Sequence, residues 1–274
     1  MNDANIEWNE RYQTQQKNTD YQSSAKFFSI QENVDWMTRS LIEGSMNRVH
    51  DQLDALNFIS GSTVLDIGAG PGTLAVPLAG KGFKVTVVEP SSPMTVSMEK
   101  YKTLKGIDAE ISVIPQVWET VNPEEIGEYD YVISSFAMAV PDLRDALLKM
   151  DQVAKKQVHI FWFLNAPSWS VIQTDLWGKL HKGESAERSY ADLIWNTLYQ
   201  EGIYANLEVY PMKDTRRYAD ISEAVCEFTN RLSAKQKWQI DLVEEYLIDN
   251  LVWQDGKFVF PDNGMYAHIW WCKK

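Results

Sequence analysis

Thr63-Val64-Leu65-Asp66-Ile67-Gly68-Ala69-Gly70-Pro71-Gly72 sets the reading of the whole chain. Its first five residues are aliphatic or β-branched around one acid. A short continuous run of that kind suits a strand covered on both faces. Three glycines then fall within five positions. Glycine reaches positive φ without a steric penalty, so the strand can turn sharply and hand over to a helix. The start of that helix presents unpaired N–H groups and a partial positive charge, a seat for an anionic group. Residues 73–80 supply the helix, which closes at Gly80 or Gly82.

Working outward, strands and helices alternate. Residues 83–88 read as a strand ending in Glu89-Pro90. Residues 92–104 read as a helix, with Pro93 in the first turn, where a missing N–H costs little. Strands follow at 109–114, 129–136 and 157–164, with a helix at 142–153. Strands separated by single helices imply βαβ units, a parallel sheet and right-handed crossovers. Upstream, Val34, Met37, Leu41, Met46, Val49, Leu53 and Leu56 predict one or two amphipathic helices, broken near Gly44. Residues 1–30 are polar, with Trp8, Tyr12, Tyr21, Phe27 and Phe28 scattered among them. They are expected to form part of a cap that closes over the crevice.

After Leu164 the pattern changes. Helices are predicted at 168–182, 186–201, 221–232 and 234–250, the last with Ser233 and Gln236 as a capping box. A strand is predicted at 203–210, a hairpin around Asp255-Gly256 and a final strand at 265–271. The expected fold is α/β: a doubly wound, Rossmann-like, mostly parallel seven-stranded sheet with helices on both faces. It forms a single domain over 1–274, with a helical cap at 1–58, a core at 59–164, and further helices and the last strands at 165–274.

Composition narrows the function. Lys and Arg number 26 against 38 Asp and Glu, a net charge of −12. Nucleic-acid affinity comes largely from Lys and Arg displacing counterions, so this balance argues against a nucleic-acid partner. It argues equally against an anionic membrane surface. Cys226 and Cys272 cannot build a disulfide framework and fit a reducing compartment. The first residues lack the basic and apolar regions of a signal peptide, and no apolar run is long enough to span a bilayer. A cytoplasmic protein is expected. No His, Cys, Asp or Glu cluster has metal-ligand spacing, so no metal site is expected.

The dinucleotide fingerprint G-x-G-x-x-G would need a third glycine where Thr73 stands. The form present is G-x-G-x-G, with Asp66 two residues before the first glycine. Glu89 ends the second strand and is followed by Pro90-Ser91-Ser92-Pro93-Met94. This pairing resembles motif I and the second-strand acid of class I S-adenosylmethionine-dependent methyltransferases, most strongly over residues 63–94. NAD or FAD binding, or a plain βα turn in another doubly wound protein, are the competing readings.

The resemblance implies S-adenosyl-L-methionine as cofactor and S-adenosyl-L-homocysteine as product. It implies cofactor contacts from Asp66, Gly68, Ala69, Gly70 and Gly72. It implies that Glu89 takes the ribose hydroxyls, with Pro90 and Met94 beside it. Gln116, Val117 and Trp118 would meet the adenine, although many members have Asp where Gln116 stands. Ser134 and Ser135 would lie near the methionine portion.

The segment after the fourth strand, Phe136-Ala137-Met138-Ala139-Val140-Pro141, offers no acid, base or nucleophile. Transfer from a sulfonium depends chiefly on holding the acceptor close and in line. A base is needed only where the acceptor keeps its proton, and Tyr12, Tyr21 and His181 are the candidates. His159 and His268 lie in strands and read as structural. Of 11 tryptophans only Trp118 and Trp162 fall within residues 59–163. The others suggest an aromatic-walled pocket for a small-molecule methyl acceptor, or ordinary packing of amphipathic helices. The alternatives are a protein or tRNA methyltransferase, or a non-catalytic S-adenosylmethionine-binding regulator.

Overall fold

The computed structural model describes residues 6–17, 28–42, 47–181, 190–213, 216–260 and 263–273. Before the sheet come α1 (Trp8–Lys17), α2 (Gln31–Ile42) and α3 (Arg48–Ala55). The alternating core is β1 (Thr63–Ile67), α4 (Ala75–Gly80), β2 (Lys84–Val88), α5 (Ser92–Leu104), β3 (Ile111–Ile114), α6 (Pro123–Ile126), β4 (Tyr129–Ser135), α7 (Leu143–Val153) and β5 (Ala154–Phe163). Then follow α8 (Ser168–Leu180), α9 (Ala191–Gln200), β6 (Asn206–Pro211), β7 (Arg216–Tyr218), α10 (Ile221–Arg231), α11 (Lys237–Asn250), β8 (Val252–Gln254), β9 (Lys257–Phe260) and β10 (Met265–Cys272).

The seven-stranded sheet runs β3-β2-β1-β4-β5-β10-β6. Strands β3, β2, β1, β4 and β5 are mutually parallel, and β10 lies antiparallel to both β5 and β6. The order therefore reverses between β1 and β4, and the carboxyl ends of those two strands flank an open crevice. One face of the sheet is covered by α2 to α5, through Leu41, Leu53, Leu74, Leu78 and Met98. The other is covered by α1, α7 and α9, through Tyr12, Leu143, Leu147, Leu193 and Leu198. A satellite core joins α8, α10 and α11 to a three-stranded sheet of order β7-β9-β8, around Ile172, Phe228 and Val243. The hairpin expected at Asp255-Gly256 joins β8 to β9, with both residues at positive φ.

Several boundaries differ from the sequence reading, each for a local reason. Ser233 adopts φ 52° and helps end α10 instead of opening the next helix. The cap of α11 is formed one turn later, by Gln236 and Gln239. Strand β6 starts at Asn206 because the turn after α9 uses Gly202 at φ 73°, and Ile203 N–H still bonds back to the Leu198 carbonyl. The polar N-terminal segment is also less detached than expected. Helix α1 is docked on α7 and α9: Tyr12 is 1% exposed, Asn9 and Gln13 bond Asp142, and Arg144 pairs with Glu7 and Glu201. Residues 18–27, with Tyr21 and Phe27, lie outside the described residues, as does the break expected at Gly44.

Candidate functional site

The three glycines of the loop are required for different reasons. Gly68, Gly70 and Gly72 have φ 69°, 56° and 80°. A Cβ on Gly68 would lie 2.3 Å from Ala137 Cβ, and one on Gly72 would lie 2.7 Å from Val76 and Met98. Those two glycines let the β1 turn pack against its neighbours. Gly70 is buried, but a Cβ there would meet only Met37 and Met94, each at an uncrowded 4.0 Å, so the backbone and not its packing needs this glycine. Ala69 and Thr73 are buried beside it.

Glu89 leaves β2 toward this loop. Its Oε2 accepts the Gly70 N–H at 2.8 Å, and its Oε1 accepts the Ser91 N–H at 2.9 Å. Residue spacing alone does not reveal this bridge between loop and strand end. Each carboxylate oxygen keeps a second acceptor position. Burial pushes the Glu89 carboxyl up, against those two N–H bonds. Asp66, 2% exposed, is pushed up to about 7, first by burial and then by the charge of Glu89. Ser91 caps α5 by accepting the Met94 N–H at 3.3 Å and donates to the Phe28 carbonyl at 2.7 Å. Pro90 is exposed and Met94 is buried.

Past β3, Gln116 is exposed and Val117 half-buried. The Trp118 ring, expected at the crevice, is turned into the core. Its Nε1 donates to the Ala146 carbonyl at 3.1 Å, and the Lys149 ammonium lies 5.1 Å from its centre. Only the backbone of Trp118 is left to face a ligand, because a large apolar ring gains more by burial against α7.

At the end of β4 the Ser134 hydroxyl donates to the Ile67 carbonyl at 3.2 Å, lacing β4 to β1. Ser135 Oγ accepts from Gln52 Nε2 at 3.0 Å. Phe136 then takes φ 55°, held by its N–H bond to the Phe161 carbonyl. A non-glycine residue in that region carries strain of roughly 1–2 kcal/mol, and such strain clusters at functional sites. The Phe136 ring lies 4.5 Å from Phe163 and 5.7 Å from Tyr266, and Phe163 lies 6.1 Å from Trp169. These rings form a continuous wall at the crevice end of the sheet.

The base candidates fare differently from expectation. The Tyr12 hydroxyl lies 2.6 Å from the Val140 carbonyl and 3.1 Å from that of Met138, and accepts the Val140 N–H at 3.0 Å. Burial drives its pKa up. Tyr12 therefore clamps the loop after β4 and holds its proton too firmly for a base. His181 Nε2 lies 2.7 Å from the Leu232 carbonyl and its ring 4.4 Å from Trp177, so it belongs to the satellite core. His159 and His268 face each other, Nδ1 to Nε2, at 2.9 Å inside the sheet. Burial pushes them down to about 3 and about 4, so both are neutral. Sequence reasoning missed Arg48, Gln52 and Tyr266 around the Phe136 ring. The four-residue spacing of Arg48 and Gln52 places them on one helix face, but nothing in the sequence says what that face meets.

Among the described residues no cluster of three His, Cys, Asp or Glu could hold a metal ion, and no helix is long and apolar enough to cross a membrane. Residues 64–157 match a family described as a methyltransferase domain. The core of the chain thus carries a methyltransferase domain. The chain is 29% identical over 189 residues to an uncharacterized protein of Haemophilus influenzae, covering 68% of each chain. In fold it is similar to a cyclopropane-fatty-acyl-phospholipid synthase-like protein from Lactobacillus casei, at TM-score 0.56 and 14% identity, covering 88% of this chain and 99% of that one. It is similar also to coclaurine N-methyltransferase bound to N-methylheliamine and S-adenosylhomocysteine, at TM-score 0.50 and 14% identity, covering 85% and 71%.

Proposed function

We propose that the enzyme methylates a small organic acceptor held between the end of β4 and the aromatic wall, and that it acts chiefly by positioning. The observation that carries this reading is the unbroken line of rings from Phe136 through Phe163 to Trp169, beside the crevice of the glycine loop. Aromatic walls with a few placed polar groups suit small ligands. The charge of −12 weighs against a tRNA acceptor. Exposed, free Cys226 and Cys272 support a reducing, cytoplasmic setting.

The residues present fit the cofactor. Gly70 carries no side chain beside Met37 and Met94, which leaves room for close approach, and Glu89 has acceptor positions left for two ribose hydroxyls. On this reading Gly68, Ala69, Gly70 and Gly72 form the cradle, with Asp66 beneath and Met94 alongside. Gln116, Val117 and the Trp118 backbone border the adenine, and Ser134 and Ser135 border the methionine portion. Bound S-adenosylmethionine supplies a methyl carbon already activated by its sulfonium. The protein's part is to hold the acceptor in line and keep water out. The Tyr12 and Tyr266 phenols are both driven up by burial and hold their protons at neutral pH. The acceptor then presents its own lone pair. We read residues 1–274 as one working unit, because β10 returns the chain into the core sheet, between β5 and β6.

Methyl-labelled S-adenosylmethionine, incubated with enzyme and cell extract and then separated by size, tests this reading. Label is expected in the low-mass fraction. Label confined to protein or RNA overturns it.

A further inference from the structure

Arg48 opens α3 and is 9% exposed, with its guanidinium 4.8 Å from the centre of the Phe136 ring. One turn later Gln52 is 1% exposed. Its amide nitrogen is engaged by Ser135, while its carbonyl oxygen is buried without a partner among the described residues. Tyr266 begins β10 opposite Phe163 and is fully buried, and its hydroxyl is likewise without a partner among the described residues. Arg48 and Asp51 both act electrostatically on that hydroxyl, and Asp51 is itself held by Lys213 at 2.7 Å. Arg48 and Tyr266 thus meet the strained Phe136, and Gln52 meets its neighbour Ser135, at the end of β4.

Leaving a buried polar atom unsatisfied is costly, because its desolvation is not repaid. Two such atoms, on residues that contact Ser135 and Phe136, call for a ligand that satisfies them. We propose that Arg48 seats a carboxylate of the acceptor, while Gln52 and Tyr266 orient the atom to be methylated. The acceptor is then a small, planar carboxylic acid. This deepens the small-acceptor reading and rests on it. A guanidinium carries five donors in a rigid fork that matches a carboxylate, so it can take one in addition to the contacts that fix it in place. The rings of Phe136, Phe163 and Tyr266 provide flat apolar surface for the acid's body. The Gln52 carbonyl accepts from an O–H or N–H, and the Tyr266 hydroxyl can donate or accept.

The test has two arms. In the first, the low-mass extract is split on an anion exchanger at neutral pH before labelling. The retained fraction is expected to carry the label, and Arg48→Gln to lower it by at least about tenfold, the loss of a charge-assisted pair. Affinity for S-adenosylhomocysteine should stay unchanged. Label only in the unretained fraction overturns the carboxylate while leaving the small-acceptor reading intact. Label in macromolecules overturns both.

In the second arm, enzyme loaded with S-adenosylhomocysteine is titrated with benzoate and with benzamide. Preference for benzoate in the parent, lost in Arg48→Gln, is expected. Equal binding of the two, or no binding of benzoate, overturns the proposal. Tyr266→Phe keeps the test open if Arg48→Gln fails to fold, since it removes only an unpartnered hydroxyl. It should retain the parent's thermal transition and cofactor affinity while kcat/KM for the labelled acceptor falls. An unchanged kcat/KM removes Tyr266 from the site.

Discussion

The two sides of the crevice are built from different material. The glycine-loop side is mostly backbone: three glycines at positive φ, and the N–H groups of Gly70 and Ser91 gathered on Glu89, all within residues 66–94. The aromatic side is all side chain, assembled from Arg48, Gln52, Phe136, Phe163, Trp169 and Tyr266 on five separate elements or loops. A backbone site needs particular residues at fixed spacing, because glycine accepts those dihedrals without the strain other residues carry. A side-chain site needs only that distant segments arrive together, and many residue types serve. Buried groups elsewhere in the sheet titrate in the opposite sense to the loop's acid: the Asp66 carboxyl is pushed up, whereas the His159–His268 pair is pushed down.

The sharpest way to break this contrast lies within the loop. Gly68→Ala adds a left-handed strain of roughly 1–2 kcal/mol to an overlap with Ala137, and should cost about 2–4 kcal/mol of stability in urea unfolding. Gly70→Ala carries the strain without the overlap, so its stability loss should be about half as large while its cofactor affinity suffers more. Equal stability losses would mean that the two glycines do the same job.

Glu89→Ala comes next. Cofactor affinity should fall by about 1.5–3 kcal/mol, the worth of hydrogen bonds to a charged group. Because Glu89 also holds the loop to β2, some stability should go with it. Calorimetry showing unchanged affinity for S-adenosylhomocysteine would remove Glu89 from the ribose.

The opposed titrations give a pH experiment. Unfolded histidines protonate near 6.5, but folded His159 and His268 resist down to about 3 and about 4. Their contribution to stability is therefore present above pH 6.5 and lost as pH falls toward 4. Each contributes at most about 1.4 kcal/mol per pH unit. Asp66 runs the other way. Folded, it holds a proton up to about pH 7, so its contribution is present in acid and lost as pH rises through 7. Asp66→Asn should steepen the parent's loss of stability between pH 6.5 and 4.5. Identical slopes for the two proteins would show that Asp66 is ionised in the fold.

Tyr12→Phe should cost about 1–2 kcal/mol of stability by freeing backbone groups of the loop after β4, with cofactor affinity unchanged. The smallest effect is expected from His181→Ala, whose ring caps the satellite core: turnover should stay within about twofold, as for most substitutions outside a site. A steep loss of turnover would return His181 to the list of bases.

These contrasts follow what could be read in advance. Strands β1 to β5 and their crossover helices were legible because their apolar runs are short and punctuated by glycine and proline. The loop and Glu89 were legible from spacing. The bridge from Glu89 to Gly70 was not, because it depends on how far β2 lies from the β1 turn. Trp118 was placed near the crevice because its position in the chain is right, but burial against α7 decided where its ring went. Tyr12 looked like a lone aromatic in a polar segment; its fit against Val140 arises only when α1 meets α7. Arg48, Gln52 and Tyr266 were unreadable for the reason the aromatic side differs from the loop: no local pattern links residue 48 to residue 266.

The position of β10 has a consequence for how the molecule is made. It is the last strand in chain order, yet it lies between β5 and β6 and hydrogen-bonds both. While a ribosome is still adding residues, β5 has an open edge toward an empty lane, and β6 has no neighbour until residues 265–272 emerge. The five parallel strands can assemble early, but the sheet closes only through contacts of long sequence separation, the slow kind. Tyr266 arrives with that closing strand. The side of the crevice it lines is therefore completed in the final moments of folding.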